Sequence, residues 1–158
     1  MLTVRIICIG RLKESYLREA QAEYVKRLGA FCKIEICELP EYRLPDNPSA
    51  SQIEKGLIEE GQKILEKASG ALIPMCIEGN PLSSPALSEK IEQLALSGES
   101  IISFIIGGSF GLSSEVKSRG TLRLSMSPMT FPHQLARVML YETIYRCAEI
   151  NKGTKYHK

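Results

Sequence analysis

The chain has 158 residues, of which 44% are hydrophobic and 24% are charged, enough to bury the core of one domain. Its formal net charge is +2, and no apolar run approaches the length of a membrane span. These values exclude a membrane-spanning helix and predict a single domain over residues 1–158.

The charge is unevenly distributed along the chain. Residues 117–158 carry eight Lys or Arg and two Glu, a net charge of +6, whereas residues 1–116 carry a net charge of −4. A basic C-terminal quarter on a nearly neutral protein favours a polyanionic partner, with nucleic acid first. On the asymmetry alone, a solvated basic surface without a partner is an equally good interpretation.

The cysteines predict a reducing compartment. They are odd in number, they lack C-x-x-C spacing, and four lie in apolar strand-like runs; they are Cys8, Cys32, Cys37, Cys76 and Cys147. We therefore expect reduced core thiols in a cytoplasmic protein rather than disulfides or zinc. The opening "MLTVRIICIG" lacks a basic n-region and a cleavage site, so it predicts a strand rather than a signal peptide.

Strand and helix patterns alternate from the start of the chain. Residues 2–9 are β-rich and end at a glycine. Residues 15–30 repeat apolar side chains at three- and four-residue spacing, which predicts a helix, and residues 32–39 alternate like a half-buried strand.

The alternation continues after a proline-rich loop. Ser51 and Glu54 match an S-x-x-E capping box and predict a helix that runs to about residue 68. A strand follows at residues 70–79, and Pro74 inside it indicates an edge strand or a bulge.

The second half repeats the pattern. A helix over residues 83–98 precedes a short buried strand at 101–106, a glycine-rich turn and helix start at 107–117, a last strand at 122–127 and a long helix over 131–150. Strands alternating with helices predict one α/β domain with a mostly parallel sheet.

The first segment that could carry chemistry is "IIGGSFGLS". Gly107, Gly108 and Gly111 let the backbone pass close to a ligand, and the next helix start offers free N–H groups. Ile106 precludes the dinucleotide fingerprint G-x-G-x-x-G, and the Gly-Lys-Ser/Thr of a P-loop is missing. A small-ligand site and a purely structural tight turn both remain open.

The second segment is "MSPMTFPHQ", residues 126–134, which has no ionic side chain before His133. Such a loop suits a ligand that is recognised through backbone amides and carbonyls in an apolar, Met-lined pocket. The alternative is a helix entry, with Thr130 as cap and Pro132 in the first turn, and both can hold together.

The third segment is the last helix, on which His133, Arg137 and Tyr141 lie along one stripe. Arg137 also has Leu140 and Ile144 at i+3 and i+7, so it sits in an apolar face and needs a partner. That partner could be a carboxylate, a helix C-terminus, a phosphate or a substrate carbonyl.

The other faces of this helix carry a polar patch and more hydrophobic residues than one packing contact requires. Glu142, Arg146 and Glu149 cluster on a face that we expect to meet solvent. Hydrophobic positions cover more of the helix than one sheet contact explains, which predicts a second contact such as a dimer interface. No Ser-His-Asp set, metal-ligand cluster or acid pair stands out, so we expect no metal and no metal-dependent hydrolysis.

The segments "IGGSFGLS", "MSPMTFPHQLARVMLYETIYRCAEI" and the terminal "KYHK" together resemble the RlmH family. These are small ribosomal RNA large-subunit methyltransferases of the SPOUT class. "IGRLKESY" and "PMCIEG" also fall where that family has comparable segments, so the resemblance runs end to end.

The resemblance implies an α/β fold with a C-terminal trefoil knot, an exception to the usual avoidance of threading. It implies methylation of N3 of a pseudouridine in helix 69 of large-subunit rRNA, with S-adenosylmethionine as methyl donor, by a homodimer acting on assembled ribosomes. Carried over by position, the residues that touch the cofactor are Met75, Gly107, Met126, Ser127, Pro128, Met129, Thr130 and Phe131.

Two residues depart from the family's pattern. Phe110 stands in the glycine turn where a smaller or polar residue is expected. Pro128 falls inside the cofactor loop and removes one backbone N–H. If the family donates an amide at that position, this chain needs a substitute.

The resemblance also suggests roles for the terminal residues. N3 of a uridine-type base becomes a good nucleophile as its proton leaves, and negative charge then spreads to the carbonyl oxygens, so a base and cationic donors are needed. The candidates are His157 or His133 as base, Arg137 and Lys158 as electrostatic stabilisers, and Tyr156 to stack on or hydrogen-bond the flipped base. The tail could act on the partner subunit.

Three other functions remain open from the sequence. They are a non-catalytic ribosome-binding module, a related knotted methyltransferase that acts on tRNA or another rRNA position, and a nicotinamide or nucleotide enzyme. The missing dinucleotide fingerprint weakens the last of these.

Overall fold

In the computed structural model, which describes residues 1–158, five parallel strands form one sheet in the order β2-β1-β4-β3-β5. The strands are β1 (Thr3–Ile9), β2 (Lys33–Leu39), β3 (Ala71–Pro81), β4 (Ile101–Ile106) and β5 (Leu124–Ser125). The helices are α1 (Ser15–Leu28), α2 (Ala50–Lys67), α3 (Ser84–Leu96), α4 (Ser114–Ser118) and α5 (His133–Lys152). The predicted α/β domain with a parallel sheet is confirmed.

The helices cover both faces of the sheet, and the alternation of β1 shows how. Ile6 and Cys8 belong to the larger core cluster, beneath α1, α3 and α5. Ile7 and Ile9 belong to a second cluster beneath α2 and α4. Because successive side chains of a strand point to opposite faces, a run of apolar residues is what a strand buried on both sides requires.

Pro74 marks the point where β3 changes partner. Residues 71–74 pair with β4, and the register then shifts between Met75 and Asn80, where β3 pairs with β5. The prediction of an edge strand or a bulge is confirmed in its second form, because β3 has a neighbour on each side and its register is irregular.

Two helix starts differ from the sequence predictions. The capping box of α2 uses Ser49 and Gln52 rather than Ser51 and Glu54, because the extended residue is Ser49 and its hydroxyl accepts the Gln52 amide at 3.2 Å. Helix α5 begins after Pro132 without a side-chain cap, so the predicted cap by Thr130 is wrong. The segment before His133 is therefore loop.

Helix α5 packs between α1 and α3 on one face of the sheet. These contacts within the chain account for part of the apolar surplus that predicted a dimer interface. Gly153, with φ of +77°, ends the helix, and amides of residues 153 and 154 donate to carbonyls of Ile150 and Glu149 in a Schellman-type arrangement. None of the five helices combines the length and the hydrophobicity that a membrane span requires. The trefoil knot stays a prediction.

Candidate functional site

A cavity of about 700 Å³ lies at the carboxyl ends of β4 and β5, the edge where open parallel sheets usually bind ligands, and along residues 75–78 of β3. It brings together the middle of β3, the glycine turn and the loop before α5, which lie far apart in sequence. Seven of the eight predicted cofactor residues line it, and these are Met75, Gly107, Met126, Ser127, Met129, Thr130 and Phe131.

The glycine turn forms one wall of the cavity, and at Gly107 it has no room for a side chain. A Cβ on Gly107 would lie 2.3 Å from the Gly111 carbonyl oxygen. Gly111 has φ of +83°, and its amide donates to the Gly108 carbonyl at 3.1 Å, which closes the turn. The turn leaves Phe110 at its tip, 52% exposed, at the mouth of the cavity.

The loop over residues 126–132 forms the facing wall. The Ser127 hydroxyl accepts the Met129 amide at 3.0 Å, so this short turn is satisfied by a side chain. The amides of Thr130 and Phe131 have no acceptor within the chain and are available to a ligand. Pro128, the eighth predicted cofactor residue, is not part of the lining, so its missing N–H leaves no gap in the wall.

An ion pair on the cavity wall was not predicted. The Lys117 ammonium lies 2.5 Å from Glu78, and both residues line the cavity. This cation lowers the pKa of the Glu78 carboxyl below its ordinary value. The two residues are far apart in sequence, and no motif links them, so no sequence signal pointed to the pair.

The predicted stripe of α5 runs from the cavity into the core. His133 lines the cavity, whereas Arg137 is 1% exposed and does not reach it. The Arg137 guanidinium donates to the Glu38 carboxylate at 2.6 Å and to the Gly10 carbonyl at 2.9 Å. The partner that the buried Arg137 guanidinium required is therefore a carboxylate, that of Glu38. A catalytic role for Arg137 stays a prediction.

The surroundings of Arg137 are buried and unreactive. Burial raises the pKa of the Cys8 thiol to about 12 and raises that of the Tyr141 phenol above its ordinary value. The Tyr141 hydroxyl has no hydrogen-bond partner. No group of His, Cys, Asp and Glu side chains is arranged to hold a metal ion.

The terminal tail packs on the second half of α5. Tyr156 donates to Glu142 at 3.0 Å, and its ring lies beneath the Arg146 guanidinium, 4.8 Å from carbon to centroid. His157 Nδ1 lies 3.2 Å from Arg146, which itself pairs with Glu142 at 2.7 Å. The expectation that this face of α5 meets solvent holds only in part, because the tail packs on it and leaves the Arg146 and Glu142 side chains 29% and 26% exposed.

The tail and the cavity do not meet within one chain. None of residues 156–158 lines the cavity. The last α5 residue on the cavity wall is Ala136, and the first tail contact is Glu142. At 1.5 Å of rise per residue, these positions are about 9 Å apart along the axis, and Arg146 is about 15 Å from Ala136.

Known proteins resemble this chain over its whole length. The family described as "Predicted SPOUT methyltransferase" matches residues 2–157. The protein named ribosomal RNA large subunit methyltransferase H from Oenococcus oeni is 44% identical over 160 residues, covering 100% of both chains. Proteins of the same name from Bacillus cytotoxicus and Bacillus anthracis are 46% and 45% identical, covering 99% of this chain and 100% of each relative.

A solved structure shares the fold. The crystal structure of tRNA (m1G37) methyltransferase from Aquifex aeolicus aligns with a TM-score of 0.53 and 13% identity, covering 91% of this chain and 69% of that chain. Likeness at this identity shows the architecture alone, whereas the family match and the 44–46% identity extend over the whole sequence. The chain therefore belongs to the SPOUT methyltransferase family, within its RlmH group.

Proposed function

We propose that the protein is an S-adenosylmethionine-dependent methyltransferase that modifies N3 of a pseudouridine in helix 69 of large-subunit rRNA. It acts as a knotted homodimer on assembled ribosomes in the cytoplasm. The observation that carries the proposal is the full-length identity of 44–46% to proteins named ribosomal RNA large subunit methyltransferase H. The basic C-terminal quarter of the chain is consistent with an RNA substrate.

The cavity fits the methyl donor. Its volume of about 700 Å³ lies in the usual range for cofactor sites, and its wall is mostly apolar with a few polar groups. The missing side chain at Gly107 lets the Gly111 backbone fold back against the cavity wall, and the amides of Thr130 and Phe131 can donate to a purine or a carboxylate. S-adenosylmethionine supplies an electrophilic methyl group on a sulfonium centre.

The protein's own task is to align the base, accept the N3 proton and stabilise charge on the pyrimidine oxygens. His133 lies at the cavity with no side-chain partner, which suits a base. His157 accepts from Arg146 at Nδ1, so its ring proton is on Nε2, and it can act as base only after leaving that contact. Both histidines remain candidates, with Tyr156 to stack on the base and Lys158 as a cationic donor. Arg137 would act only through the Glu38 carboxylate and the Gly10 carbonyl that it holds.

A second copy of the chain is needed to join the tail to the cavity. Leu135, Val138 and Met139 form an incompletely buried stripe on α5, between the cavity and the tail contact at Glu142. We propose that this stripe packs against a partner subunit. An antiparallel arrangement would then set the tail of one subunit beside the cavity of the other.

The experiment is methyl transfer from radiolabelled S-adenosylmethionine to ribosomes purified from cells that lack the protein, followed by mass mapping of the rRNA. We expect one methyl group on a pseudouridine of helix 69, and none when free tRNA is the substrate. Calorimetry with S-adenosylmethionine should show binding to the protein alone or with ribosomes. Lack of binding in both cases would favour a non-catalytic ribosome-binding module, and methylation elsewhere would contradict the substrate.

The roles of the two histidines are tested separately. His133→Ala and His157→Ala should each keep the fold, and the variant that lacks the base should lose most of its methyl transfer. Full activity in both variants would remove histidine from the mechanism.

A further inference from the structure

We infer that the loop between β1 and α1, residues 10–14, is a phosphate-binding strap at the rim of the cavity, and that Arg11 and Lys13 hold the rRNA backbone there. The inference rests on the proposed function and adds to it a contact surface outside the basic C-terminal quarter.

The loop lies between two walls of the cavity. On one side, a Cβ on Gly108 would lie 3.3 Å from Ile9, the residue that leads into the loop. On the other side, the Lys13 amide donates to the Gln134 side chain at 2.8 Å, next to His133 on the cavity wall. The loop therefore lies beside the cavity, next to two of its walls, and none of residues 10–14 lines the cavity itself.

The loop is held rigidly from beneath. Arg137 donates to the Gly10 carbonyl, and Leu12 is buried. Arg18 of α1 donates to the carbonyls of Leu12 and Lys13 at 3.1 and 2.6 Å. A backbone fixed at successive residues presents its outward side chains with little loss of conformational entropy on binding.

The outward side chains are cationic and free. Arg11 and Lys13 are exposed, and every ion pair of the chain uses other cations. Over residues 10–19, Arg11, Lys13 and Arg18 stand against Glu14 and Glu19, so the segment keeps a net charge of +1. Unpaired cations on a fixed loop match the phosphates of RNA, which position a substrate without reading its sequence.

A neighbouring aromatic residue favours RNA over other polyanions. Tyr16, on the first turn of α1, is 66% exposed. Exposed aromatic rings beside cations are the usual platform for unpaired bases. Residues 11–16 therefore offer both cations that neutralise RNA phosphates and an aromatic ring on which a base can stack.

The test compares the double variant Arg11→Gln/Lys13→Gln with the wild type and with Lys55→Gln, an exposed and unpaired lysine of α2 on the opposite face of the sheet. Binding to large ribosomal subunits is measured between 50 and about 200 mM salt. Loss of two phosphate contacts should reduce the slope of log affinity against log salt by about 1.4–1.8. It should also raise KM for ribosomes about tenfold at physiological salt. Lys55→Gln should match the wild type.

Three results would overturn the inference while the proposed function stands. The first is a double variant with the salt slope and KM of the wild type. The second is a dissociation constant of the double variant for S-adenosylmethionine that changes more than about twofold, which would make the loop part of the cavity. The third is loss of the dimer in the double variant, measured by size-exclusion chromatography. A wild-type protein that neither binds nor methylates ribosomes would overturn the proposed function, and this inference with it.

Discussion

Replacing Arg137 with methionine tests what the buried arginine does. Methionine keeps the length and the apolar contacts of the side chain but removes two charge-assisted hydrogen bonds, to Glu38 at 2.6 Å and to the Gly10 carbonyl at 2.9 Å. Breaking a fully buried pair costs about 3–5 kcal/mol. Because the Glu38 side chain is 36% exposed and can be rehydrated, we expect a loss of about 2–3 kcal/mol.

Urea unfolding at fixed protein concentration measures this loss, which corresponds to a decrease in Tm of about 4–12 °C for a chain of this size. Arg27→Met is the control, because its pair with Glu23 is exposed and screened by solvent, so its loss should change the free energy of unfolding much less. Binding of S-adenosylmethionine should change less than about twofold, since Arg137 does not line the cavity. Unchanged stability together with lost methyl transfer would refute the structural interpretation and make Arg137 catalytic.

Three further predictions follow from local geometry. Gly107→Ala should abolish S-adenosylmethionine binding by calorimetry, because its Cβ would meet backbone at 2.3 Å, whereas Gly29→Ala, in helical conformation, should bind normally. Lys117→Met should raise the pKa of the Glu78 carboxyl, measured by carboxyl NMR, because the Lys117 ammonium lowers it in the wild type. The pair therefore stabilises the protein at pH values above the pKa of Glu78 in the unfolded chain, and this stabilisation is lost as the pH falls through the lower pKa of Glu78 in the folded protein. Ser49→Ala should lower the free energy of unfolding by about 1 kcal/mol, and no change would contradict the capping box.

The parts of the fold that follow local rules could be predicted from sequence. Alternating strands and helices indicate the parallel sheet because each element shows its own period. The α2 cap was predicted two residues late, because Ser51 and Glu54 match the motif as well as Ser49 and Gln52 do. The choice between them depends on where the preceding chain is extended, and a motif does not contain that information.

The candidate site also contains parts that could be predicted from sequence and parts that could not. The glycine turn and the Met-rich loop were predicted to bind a ligand because their composition leaves backbone open, and both line the cavity. The Glu78–Lys117 pair was missed, since only the folded chain brings these positions together. The tail was predicted to close over the flipped base, in its own subunit or the partner's. Within one chain it lies along α5, because Glu142 and Arg146 hold it there.

Mixing two inactive subunits measures the central claim most directly. Gly107→Ala impairs the cavity and leaves the tail intact, and His157→Ala with Tyr156→Ala impairs the tail and leaves the cavity intact. If each site is built from the cavity of one subunit and the tail of its partner, equal mixing after dissociation gives about half mixed dimers with one complete site each. Methyl transfer to ribosomes should then return to about one quarter of the wild-type rate. Activity that stays at the level of the separate variants, in a sample shown by native mass spectrometry to contain mixed dimers, would contradict the account.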